Sequence, residues 1–109
     1  MAKALVTVEA GICGFVTRIA AEMDEEGMVG VTIESDCQNC RGLARDFPKI
    51  DPYGLLRGKA KDNAIFAAVA RHPLHQACAV PIGISKAVEV AAALALPRDV
   101  HIKIEKVEE

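Results

Sequence analysis

Residues 29–47 read VGVTIESDCQNCRGLARDF, and the hydrophobic period changes in the middle of them. Val29, Val31 and Ile33 face one way and Thr32 and Glu34 the other, the alternation of a half-buried strand. Ser35 and Asp36 are both good N-cap residues. Beyond them Cys40, Leu43, Ala44 and Phe47 recur at helical spacing, in a short helix that stops before Pro48. The chain therefore passes from strand to helix at residues 35–37, and the segments on either side keep to that division.

Upstream, Ala4, Val6 and Val8 alternate with Leu5, Thr7 and Glu9. After Gly11-Ile12-Cys13-Gly14 the pattern resumes, with Phe15, Thr17, Ile19, Ala21 and Met23 on one side and Arg18 and Glu22 on the other. Asp24-Glu25-Glu26-Gly27 is a polar turn of hairpin length, so the first 35 residues form an antiparallel meander. Downstream, residues 49–62, with Pro52, Gly54 and Gly58, are expected to be an irregular connection. Asn63 caps a helix to about Arg71, broken at His72-Pro73. Pro81 suits the first turn of a longer helix to about Ala95, whose buried face is Ile84, Ala87, Val88, Ala91 and Ala95. Val100, Ile102 and Ile104 alternate with His101, Lys103 and Glu105 in an expected C-terminal strand. The expected fold is α+β: an antiparallel β-meander, three helices and a C-terminal strand, with the helices on one face of the sheet, all in one domain over residues 1–109.

Composition narrows the function classes. The chain is 51% hydrophobic but only 4% aromatic, so its core is built from Ala, Val, Ile and Leu. A net charge of −2 and no polybasic run give no footprint for nucleic acid or an anionic membrane. The longest apolar stretch, Ala79 to Leu96, is interrupted by Ser85, Lys86 and Glu89, as in a buried helix rather than a span. Without a signal-peptide pattern at the N-terminus, the expected location is cytoplasmic, where thiols stay reduced. The Ala-rich last helix offers more apolar face than one small domain covers, which leaves room for a homodimer.

The four cysteines are the residues with chemistry to offer. Cys13 lies between two glycines, Cys37 at the start of the first helix, and Cys78 in the linker before the last helix. All three fall at element ends. Cys40 shares the periodic stripe of Leu43 and Phe47, which points to the core, although Cys37-Gln38-Asn39-Cys40 is formally a C-x-x-C motif. His75, three residues before Cys78, can bring an imidazole to that thiol. Soft thiolates gathered from separate segments suit zinc or an iron–sulfur cluster. The expected ligands are Cys13, Cys37 and Cys78, with His75 or Cys40 as the fourth.

This layout resembles the iron–sulfur cluster assembly scaffold family. There a Cys-Gly lies between early strands, a second cysteine lies where the meander meets a helix, and a third, preceded by His, opens the late helix. Cys13-Gly14, Cys37 and Cys78 with His75 look like these positions. The family's acidic residue after Cys-Gly is Phe15 here. Gly11–Phe15, Ser35-Asp36-Cys37 and Cys78–Pro81 also resemble a group of small uncharacterised prokaryotic proteins. The resemblance implies an iron–sulfur or metal-binding, scaffold-like protein that works with a sulfur donor or acceptor protein. The residues leave two other readings open. One is a thiol-redox or sulfur-transfer protein with Cys37 as nucleophile and Cys40 or Cys78 as resolving thiol. The other is a non-catalytic interaction module whose cysteines are buried.

Overall fold

A computed structural model describes residues 3–47 and 49–108, the side chain of Ala60 excepted. The helix stop ascribed to Pro48 lies outside them. Strands β1 (Lys3–Glu9), β2 (Val16–Met23) and β3 (Val29–Ser35) form an antiparallel sheet in the order β1-β2-β3. Val6 pairs with Ile19, and Ile19 with Ile33, so the alternating apolar sets of all three strands share one face. Ala4, Val8, Ile19, Ala21, Val29 and Val31 are buried there, while Leu5, Thr7, Arg18, Glu22, Thr32 and Glu34 are exposed on the other. In the hairpin between β2 and β3, Asp24 Oδ1 accepts the N–H groups of Glu26 (2.9 Å) and Met28 (3.0 Å). Those bonds, led by the Met28 N–H, and Lys49 at 3.1 Å hold the Asp24 carboxyl below the usual carboxylate range.

The helices α1 (Gln38–Leu43), α2 (Pro52–Arg57), α3 (Ala64–Val69) and α4 (Val80–Ala91) follow the meander, on one face of the sheet, as the α+β reading requires. Cys40, Leu43 and Phe47 are buried, and Asn63 Oδ1 caps α3 by accepting from Ile65 (2.8 Å) and Phe66 (3.2 Å). On α4, Ile84, Ala87, Val88 and Ala91 are buried against β1, β2 and α3, so the chain covers this apolar face itself. Gly83 lets α4 lie close on the sheet: a Cβ there would lie 2.5 Å from a Val8 methyl. None of the helices among the described residues is long and apolar enough to cross a membrane.

Two expectations are corrected. Residues 49–62 are not wholly irregular. Asp51 caps α2 by accepting from the Tyr53 N–H (3.1 Å), Pro52 supplies a pre-set φ for its first turn, and Leu55 anchors it in the core. The C-terminal strand does not form: residues 96–108 carry no helix or strand, and Val100, Ile102 and Ile104 stand exposed. Alternation supplies a strand with a face but not with a partner, and among the described residues no edge pairs with it.

The register fixes where the functional candidates meet. Glu9 pairs with Val16, and Thr17 with Ser35. The β1–β2 loop with Cys13 and the β3–α1 junction with Cys37 therefore lie at the same end of the sheet. The linker that carries Cys78 into α4 reaches that end as well.

Candidate functional site: a cleft lined by four thiols

At this end of the sheet a cleft of about 170 Å³ is lined by all four cysteines and His75, with Phe15, Pro73 and Leu74 among its apolar walls. The thiols sit at different depths. Cys13 is exposed on the 3-10 turn Gly11–Cys13, which positive-φ glycines at 11 and 14 close. Cys37 and Cys78 are half-buried, and Cys40 is 2% exposed. Burial of the kind that a purely structural cysteine shows is found at Cys40 alone.

Cys37 takes the N-cap position of α1, with extended backbone, and its own N–H donates to Ser35 Oγ (3.0 Å). Its thiol is held below the ordinary value, chiefly by the backbone N–H of Cys40. The Cys40 thiol, the Asn39 N–H and the Arg41 guanidinium add to this, while partial burial opposes it. These N–H groups close no capping hydrogen bond by strict geometry, yet they face the sulfur and stabilise the charge that forms on ionisation. Arg41 is aimed by its own bond, Nη1 to Ser35 O at 3.1 Å. Cys40 behaves in the opposite sense: burial first, then the Cys37 sulfur, push its thiol up to about 12. Cys78 adds to that rise, both through its charge and through hydrogen-bond contact with Cys40.

The cleft walls are tied together by polar contacts. Asn39 Nδ2 donates to Pro73 O (3.2 Å), joining the first turn of α1 to the linker before α4. His72 Nε2 lies 2.7 Å from Asp46 Oδ2 and makes a second tie between the same regions. Cys78 N–H donates to His75 O (3.2 Å), which shapes the linker, while the His75 side chain stays exposed. Beneath Cys37, Thr17 Oγ1 and Ser35 Oγ are 2.6 Å apart and buried. Ser35→Ala is expected to cost about 1–3 kcal/mol in urea unfolding, because it strands the Thr17 hydroxyl and the Cys37 N–H. Thr17→Val in the same chain should recover part of that loss. Strict additivity of the two would count against a shared bond.

The sequence singles out the cysteines and His75 but not Asn39, Arg41, Thr17 or Ser35. Asn39 and Arg41 are flagged only by their places inside and just after C-x-x-C. Thr17 and Ser35 are paired by strand register, which has no local signature.

The metal reading does not survive this geometry. Among the described residues, no group of three or more His, Cys, Asp or Glu side chains could hold a metal ion. Cys13, Cys37 and Cys78, with His75 or Cys40, are therefore not an iron–sulfur or zinc ligand set, and the likeness to the iron–sulfur assembly scaffolds fails with it. Several deprotonated donors must converge on one point to make such a site. Here Cys13 stands on an exposed turn, His75 is exposed, and the buried Cys40 is held protonated.

Residues 4–104 match the model of a family of unknown function (DUF6951). The chain belongs to this family. The DUF6951 match takes in the meander from Ala4 onward, every helix of the described residues and all four cysteines. Comparisons with curated proteins and with solved structures give no match.

Proposed function

We propose that this DUF6951 protein is a thiol–disulfide exchange protein in which Cys37 is the nucleophile and Cys40 the resolving thiol. The observation that carries the reading is the contrast between neighbours in one cleft. A half-exposed thiol is held below its ordinary value beside a buried thiol pushed up to about 12. Exchange needs that asymmetry: the first thiol must be ionised and reachable, and the second protonated and sheltered until a mixed disulfide stands next to it.

The Cys37 thiolate attacks one sulfur of a partner disulfide, forming a Cys37 mixed disulfide and releasing the other sulfur as thiolate. Cys40 then attacks the Cys37 sulfur. Its proton goes to the departing thiolate, and the Cys37–Cys40 disulfide remains. Two electrons have passed from the protein dithiol to the partner, which leaves as one thiolate and one thiol. The walls offered by Phe15, Pro73 and Leu74 suit a disulfide flanked by apolar side chains, as in an unfolded or loosely folded protein.

Cys40→Ser is the direct test. It keeps the nucleophile and removes the resolving thiol, so incubation with a disulfide-bearing protein should trap a covalent complex that resists alkylation and is released by reductant. Peptide mass mapping should locate the link at Cys37. Resolution of the complex as fast as in the unsubstituted chain would remove Cys40 from the mechanism, and a link confined to Cys13 would remove Cys37.

A further inference from the structure

Residues 97–108 form an arm with no helix, no strand and every side chain exposed. Along it Val100, Ile102, Ile104 and Val107 are 55%, 73%, 87% and 76% exposed. Within the arm Lys103 Nζ and Glu105 Oε1 lie 2.9 Å apart, so alternate residues already share a side, as in a strand. The molecule measures 53 × 28 × 27 Å, the shape of a compact body with such an arm projecting from it. The family match continues to residue 104, so the alternating segment falls within what the family model describes, although its side chains are exposed in the single chain.

The sheet has a place for it. β1 pairs with β2 on one side only, and no other described strand pairs with its outer edge. β3, the other edge strand, is bridged to Ile50 at Val29 and flanked by α1. An open edge displays unpaired N–H and C=O groups, the template for an added strand. Antiparallel pairing with Ile102 opposite Val6 sets Val100, Ile102 and Ile104 beside Val8, Val6 and Ala4, on the face that carries the helices. It also sets Glu105 opposite Lys3, a favourable charge pair. Asp99 falls opposite Glu9, at the end of the ladder, where strands fray. The seven residues 99–105 match the seven of β1.

We propose that residues 99–105 of each chain add as a fourth strand to the outer edge of β1 in a second copy, giving a reciprocal strand-exchanged homodimer. The occupant is a second copy because the arm pairs with no described strand of its own chain and leaves every side chain exposed along an extended molecule. Exchange buries the apolar face of both arms and satisfies both open edges at once. The inference is independent of the thiol chemistry.

Size-exclusion chromatography with light scattering on the full chain tests this, together with a chain ending at Leu96 and the Ile102→Lys/Ile104→Lys double variant. The full chain should show twice the 11.6 kDa chain mass, and both variants a single mass. Circular dichroism should show that the variants keep the meander and helices. Hydrogen exchange on the full chain should find the amides of residues 100–104 slowed, and less so on dilution. A full chain that stays monomeric at every concentration would overturn the proposal. So would a dimer that persists without the arm, or slowed arm amides in a monomer, which would place the arm on its own edge.

Discussion

Cys37→Ser is expected to reduce disulfide exchange to the uncatalysed background and to remove the fast-labelling thiol of the cleft. The serine hydroxyl is close in size to the thiol, and the Cys37 N–H bond to Ser35 Oγ comes from the backbone, so the fold should be retained. What is lost is a sulfur whose thiolate is stabilised by the Cys40 and Asn39 N–H groups and by Arg41. The sign of the pH dependence follows. A thiol held below its ordinary value of 9.0 begins to react at lower pH than the same residue in the unfolded chain. Site-resolved alkylation across pH should therefore place the midpoint for Cys37 lower in the folded protein than in urea. Cys40, at about 12, is ionised to only about one part in 10⁵ at pH 7, so it should label last, and faster once the fold is opened. A Cys37 midpoint equal in the folded and unfolded chains would sink the nucleophile assignment. Arg41→Gln is the milder companion: it should raise the Cys37 midpoint and leave the fold in place.

The second large effect is on stability. Gly83→Val is expected to cost about 3 kcal/mol, read as a lower urea midpoint, because α4 is laid on the sheet at the distance that a glycine permits. Even one Cβ at Gly83 would lie 2.5 Å from Val8 Cγ2 and 3.2 Å from Ile19 Cδ1. Val8 is β-branched and holds its rotamer stiffly, and Ile19 is fully enclosed, so neither gives way cheaply. Helix propensity works in the opposite direction: alanine is better than glycine inside a helix by about 1 kcal/mol. Gly83→Ala should accordingly be destabilising but by less than the valine. A stabilised Gly83→Ala would show that the helix can lift off the sheet at no cost. The site should feel the change too, since Val80 opens α4 and lines the cleft just after Cys78. A raised helix moves Cys78 away from Cys40, and the Cys40 thiol should then label faster.

The meander was legible because each of its strands alternates cleanly and because the core face is built from Ala, Val and Ile with little else. The Asn63 cap and the buried stripe of α4 as far as Ala91 were legible for the same local reason, but the helix ends there and Ala95, expected on that stripe, lies half-buried beyond it. Pro52 and Gly54 concealed α2. Proline reads as a breaker unless it stands in the first turn, and here it stands there, after the capping Asp51. Ile102 and Ile104 misled in the other direction, since their alternation is real but pairs with no strand among the described residues.

By itself the sequence determined the order of the three strands and of α1, α3 and α4 after them, the core face of the sheet, and the placing of Cys13, Cys37 and Cys78 at element ends. Those features depend on residues within a turn or two of one another, where periodicity and capping act. Only the tertiary structure decided what the thiols are. Cys40 owes its depth to the packing of α1 on β3, and its high value to that burial and to sulfurs that include Cys78 from a distant segment. Cys37 owes its low value to N–H groups that face it only once α1 is wound. Ionisation responds to burial and to charge within a few ångströms, and neither distance is written in the spacing of residues along the chain.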